Sequence, residues 1–83
     1  MPRLNDYRTS DMYIASYLSL SEKLTSLEPD GNHFVFVFDN STSCEEKVNR
    51  YWFGEASVEV KSFVNALKNI KSRVFAERGD VTA

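Results

Sequence analysis

Apolar positions change their period along this chain, and each change marks an element. After a polar lead-in, Ile14, Tyr17 and Leu18 recur at helical spacing, with Tyr13 and Leu20 on a flank. Thr9, Ser10 and Asp11 precede them with side-chain oxygens suited to an N-cap, and Asp11 adds a first-turn carboxylate. The pattern predicts a first helix over about residues 11–20. Ser16 and Ser19 fall on its outer side, and Ala15 permits a neighbour to approach closely. A helix this short is marginal alone in water and must dock.

The period then drops to two. Residues 23–27 and 33–39 flank Glu28-Pro29-Asp30-Gly31-Asn32, where proline presets the first turn position, Asp tolerates the second and Gly supplies positive φ. This reads as a β-hairpin. In its second strand Phe34, Phe36 and Phe38 point one way and Val35 and Val37 the other. Apolar residues on both faces mark a central strand, with helices over one side and either a further strand alongside or a partner subunit across the other. Tyr7-Arg8-Thr9 is the candidate for that strand.

Helical spacing returns twice. Ser43-Cys44-Glu45-Glu46 fits a capping box, and Cys44, Val48, Tyr51 and Trp52 form one stripe of a second helix running to about residue 53, stopped by Gly54. A third helix spans about residues 59–77. Val60, Phe63, Leu67, Ile70 and Val74 mark its inner face, Val64 widens that face, and Gly79 ends the helix. The last few residues are expected to fray. The expected architecture is α+β: a small antiparallel sheet, a hairpin plus a short N-terminal strand, packed by three helices in the order (β)-α-β-β-α-α. The chain of 83 residues is one domain, residues 1–83, with an ordered core over about residues 6–78. A sheet of two or three strands leaves unpaired edges that only charged ends blunt, which makes a homodimer the expected assembly.

Composition fits a folded core, with 42% apolar and 27% charged residues. The net charge of −2 is unevenly placed: residues 1–59 carry five Lys/Arg against ten Asp/Glu, and residues 60–83 carry five against two. An acidic body and a basic last helix complement each other within a fold, or turn one basic face outward. The lone Cys44 excludes an intramolecular disulfide and a zinc knuckle, which places the chain in a reducing compartment, the cytoplasm. No apolar run approaches the roughly 20 residues that span a bilayer, and no membrane role is expected.

Chemistry-bearing constellations are sparse. His33 is the single histidine and has no oriented partner in the pattern; it reads as a turn-adjacent surface residue. Cys44 near a helix N-terminus suggests a lowered thiol pKa, but its place on the apolar stripe favours a core thiol. Glu45 and Glu46 point in different directions and suit capping better than metal binding. No phosphate loop, metal-ligand spacing or serine elbow occurs, so no enzyme, metal or cofactor is expected. What remains is a set of candidate binding residues. Arg50, Tyr51 and Trp52 place large aromatics beside a cation, and Tyr13 and Tyr17 stand one turn apart; for both groups core packing is favoured over an interface or base stacking. Lys61, Lys68, Lys71 and Arg73 make a modest basic helix, diluted by acidic neighbours.

The string from Tyr7 to Leu18, Phe34-Val-Phe-Val-Phe38, Tyr51-Trp-Phe-Gly-Glu55 and Leu67-Lys-Asn-Ile-Lys-Ser-Arg73 together resemble a small prokaryotic and phage family, domain of unknown function 5659. The resemblance covers about residues 6–75 and implies a compact domain from a prokaryotic or viral genome, in the host cytoplasm if phage-encoded. It implies no activity, cofactor or catalytic residue. The functional expectation is a non-enzymatic interaction or regulatory module that binds a protein partner or itself. The alternatives are a nucleic-acid accessory protein using the basic last helix with Tyr51 and Trp52, and a small-ligand binder at a dimer interface.

Overall fold

The computed structural model describes residues 6–78. Its elements are β1 (Tyr7–Thr9), α1 (Met12–Ser19), β2 (Leu24–Asp30), β3 (His33–Phe38), α2 (Ser41–Trp52) and α3 (Val60–Arg78). This is the α+β order expected, with the short first strand present. Gly79 and the tail beyond it lie outside the described residues.

The sheet order is β1-β3-β2 with both pairings antiparallel. β1 and β2 therefore run parallel, joined through α1, with β3 inserted between them as in a split β-α-β unit. β3 is central, as its two apolar faces require. Phe36 and Phe38 are buried in the core with Ile14, Leu18, Cys44, Val48, Ile70 and Val74, and Tyr7, Leu24, Leu27, Phe34 and Tyr51 pack around them. Val37 is also buried, on the opposite face. Arg8 and Glu28, beside Val37 and Val35 in the register, form an ion pair that spans β3. Their aliphatic stems shield Val37 from water. A strand alongside was one of the two expectations for β3, and the second face needs no partner subunit to bury Val37.

The hairpin is tighter than the sequence reading had it. Glu28, Pro29 and Asp30 extend β2 rather than opening the turn, and only Gly31 and Asn32 remain as the loop. Gly31, with φ +62°, holds the first central position, the placement that suits a two-residue hairpin turn. Pro29 is tolerated because β2 is an edge strand and its missing N–H faces no neighbour. A register irregularity between Leu24 and Ser26 adds one residue to β2. Leu24 and Leu27, three apart, would fall on opposite faces of a regular strand; the bulge brings both onto the core side. Bulge and proline also blunt the β2 edge, and β1 is only three residues long. Strand addition is thus a poor route to the dimer that the unpaired edges suggested.

Asp11 is the N-cap of α1, its carboxylate accepting from the amides of Tyr13 (2.8 Å) and Ile14 (3.0 Å). Ser16 is fully buried, against the outward position expected, and Ser19 is half-buried. The Ser16 hydroxyl donates to the Met12 carbonyl at 2.8 Å, which satisfies it inside the core. Small residues at Ala15 and Ser16 suit close packing against α3, the neighbour α1 meets most extensively. α2 starts before the expected capping box: Asn40, at φ +63°, is its N-cap and accepts from the Ser43 amide at 3.3 Å. Its far end is as expected. Gly54, at φ +73°, donates to the Tyr51 carbonyl (3.2 Å) and Glu55 donates to that of Arg50 (2.8 Å), the two bonds of a Schellman motif.

α3 departs most from its pattern. With 19 residues it is about 28 Å long, against about 12 Å for α1. Ile70 and Val74 are buried, Phe63 and Leu67 half-buried, while Val60 and Val64, expected on the inner face, are exposed. Val64 stands about 120° around the helix from Ile70, and Val60 is the first residue of the helix.

Candidate functional site

Each aromatic of α2 is placed by its angle around the helix. At about 100° per residue, Tyr51 lies within about 20° of Cys44 and Trp52 about 80° away. Tyr51 turns inward, its ring 5.8 Å from that of Tyr17 on α1. Trp52 stands edge-on to Tyr51 at 5.3 Å and remains 66% exposed. This corrects the expectation that Tyr51 and Trp52 complete the core together: only Tyr51 does. Phe53, at the C-cap, is 77% exposed. Tyr13, a turn before Tyr17, is exposed, as is Arg50.

In the connection from α2 to α3 Val58 is exposed, and Val60, the first residue of α3, is 76% exposed. Four apolar side chains thus face water within nine residues of sequence. Two of them are aromatic, the residue type that dominates binding surfaces. Arg50 and Lys61 against Glu55 and Glu59 leave this stretch with no net charge. The Schellman motif fixes the backbone where Phe53 emerges, so the aromatic pair sits on rigid structure. Phe53, Val58 and Val60 were missed from the sequence as binding residues; Trp-Phe immediately before a helix-stopping glycine was the available signal, because the last helical turn outruns its packing partners.

The basic residues are all exposed but not gathered. Taking Lys61 as origin, Lys68 lies within about 20°, Lys71 about 80° to one side and Arg73 about 120° to the other. No single face of α3 presents them to a phosphate backbone.

The reactive groups are tied into the fold. Cys44 is buried, and burial pushes its thiol up to about 11, with the nearby Glu22 charge acting the same way. The helix-terminus lowering considered from the sequence is thus reversed, and the thiol is a core residue. Glu22 accepts from the Ser43 hydroxyl at 2.6 Å and from Lys47, which pins the loop after α1 to the first turns of α2. The Lys47 and Ser43 hydrogen bonds hold the Glu22 carboxyl below its ordinary range. The capping box had Ser43 serving its own helix, so this cross-element tie was not foreseen. His33 is exposed at the start of β3. Among the described residues no cluster of three or more His, Cys, Asp or Glu could hold a metal ion, and no helix is long and apolar enough to cross a membrane.

Comparison with curated proteins and with solved structures gives no match. A family model does match, over residues 4–76, and carries the description "Domain of unknown function (DUF5659)". The match spans nearly the whole chain, and the protein belongs to that family.

Proposed function

We propose that this protein is a non-enzymatic cytoplasmic interaction module whose partner is a second copy of itself, joined through the corner formed by Trp52, Phe53, Val58 and Val60. The observation that carries the reading is the exposure of these four apolar side chains around one helix junction, Trp52 and Phe53 beside the Schellman motif that ends α2. Self-association is favoured over a nucleic-acid partner by charge. Glu55 and Glu59 stand beside the aromatics and oppose phosphate, whereas two cations and two carboxylates around an apolar centre are self-complementary under a two-fold axis. Tyr17 borders the interface through its contact with Tyr51. No reaction is assigned: the thiol is buried and protonated, and Ser43 and Lys47 are engaged by Glu22. A lone buried thiol suits a reducing compartment.

Native mass spectrometry of wild type and Phe53→Glu tests this directly. A dimeric wild type and a monomeric, fully folded F53E variant are expected. A monomeric wild type, or an F53E variant that remains dimeric, overturns the assignment.

A further inference from the structure

α3 contains two serines and two asparagines, Ser62, Asn65, Asn69 and Ser72, spaced three, four and three residues apart. All four line one groove of about 790 Å³ between α3, the end of α1 and the start of β2. Ser and Asn disfavour helix relative to Lys, which the outer positions 61, 68 and 71 use. Asn65, Asn69 and Ser72 therefore break the local preference on one face, while Ser62, in the first turn, donates to Glu59. Departures from local preference gather at functional or strained sites.

The groove has a floor of Leu20, Leu24 and Ile70. Among the described residues, no side-chain hydrogen bond engages Asn65, Asn69 or Ser72, and no ion pair engages Arg73, which lies one turn beyond Asn69. Glu22 also borders the groove, but its charge is answered by Lys47. Asn65 and Asn69 are about 6 Å apart along the helix axis. An extended polypeptide repeats every two residues at about 6.6 Å, and a side-chain amide offers both a donor and an acceptor to a backbone amide. Two asparagines four apart thus match successive same-side peptide groups of an extended chain.

We propose that this groove binds an extended segment of a partner protein. Asn65 and Asn69 pair with its backbone, alternate apolar side chains enter the floor, and Arg73 takes an acidic side chain that follows them. A single available cation and an apolar floor fit such a peptide better than a polyphosphate. The site is separate from the Trp52 corner and does not depend on the dimer.

The test is selection of a displayed random peptide library, of about six variable residues to match the groove, on the full chain, followed by amide NMR titration of the enriched peptides. Expected are sequences of alternating apolar residues followed by Asp or Glu, with shifts at Leu20, Leu24 and along residues 62–73. The Asn65→Ala/Asn69→Ala double variant, which improves helix propensity and keeps the fold, weakens binding about tenfold or more for two lost hydrogen bonds. Arg73→Glu loses preference for the acidic residue, and the F53E monomer binds unchanged. Failure to enrich any peptide, shifts confined to residues 52–60, affinity indifferent to the double asparagine variant, or a groove filled by a second copy would each overturn the proposal.

Discussion

Neighbouring residues of like chemistry carry opposite roles here, and Tyr51 and Trp52 show it most plainly. Tyr51→Ala removes a half-buried ring and its contact with Tyr17, and is expected to cost about 1–3 kcal/mol. In the monomeric Phe53→Glu background, Trp52→Ala removes a larger side chain yet leaves stability within about 0.5 kcal/mol, because most of that ring faces water in the single chain. Denaturant midpoints of the two variants check this; a Trp52 cost equal to that of Tyr51 would contradict the placement. Glu22 supplies a pH signature. Its carboxyl is held below the ordinary value of 4.5, chiefly by the Lys47 and Ser43 hydrogen bonds, so the folded state favours the ionised form. Its contribution is complete above the unfolded-state value and is lost as pH falls through the lower folded-state value. Glu22→Gln is expected to cost about 1 kcal/mol at neutral pH, with the wild-type and variant stability curves converging in acid. Parallel curves across the acid range would remove Glu22 from this role.

At the scale of elements, the chain's own pattern was legible wherever one local rule decided the outcome. The central strand was visible in the alternating Phe and Val of 34–38, and the stop of α2 in Gly54, because a residue in the left-handed region follows a helix most readily as glycine. A Cβ at Gly54 would meet nothing within 4 Å, so Gly54→Ala isolates the backbone term, with an expected loss of about 1 kcal/mol by thermal or chemical denaturation. A neutral Gly54→Ala would mean that the Schellman geometry is not what fixes this corner. Legibility ended where two elements decide together. The spacing of Leu24 and Leu27 fits neither face of a regular strand, and only pairing with β3 reveals the bulge at 25 that reconciles them. Asn40 outcompetes Ser43 as the cap because Ser43 has a better partner on another element, Glu22. Val60 has core spacing yet is 76% exposed at the start of α3, and Val64, about 120° around from Ile70, lies off the buried stripe.

For the whole molecule, one layer of helices covers one face of a three-stranded sheet, and the described chain measures 39 × 34 × 18 Å. Such a thin plate has little interior, so apolar side chains beyond the reach of α1 remain at the surface unless a second molecule covers them. The candidate site was half legible for that reason. Arg50, Tyr51 and Trp52 were singled out from their chemistry, but which of them faces water is decided by the packing of α1, whose Tyr17 meets Tyr51. The four basic residues of α3 were legible as a group only in sequence; the helix distributes them around its circumference. The sheet edges are bulged and proline-bearing on one side and three residues long on the other, so the proposed dimer rests on the Trp52 corner and not on strand addition. Because Trp52 is the single tryptophan, its fluorescence reports on that corner alone. The most direct measurement is acrylamide quenching of Trp52 as protein concentration rises, with sedimentation read in parallel. The dimer account predicts strong quenching in dilute monomer and shielding that grows in step with dimer mass; a dimer whose tryptophan is quenched as readily as the monomer's, or no dimer at any concentration, would contradict it.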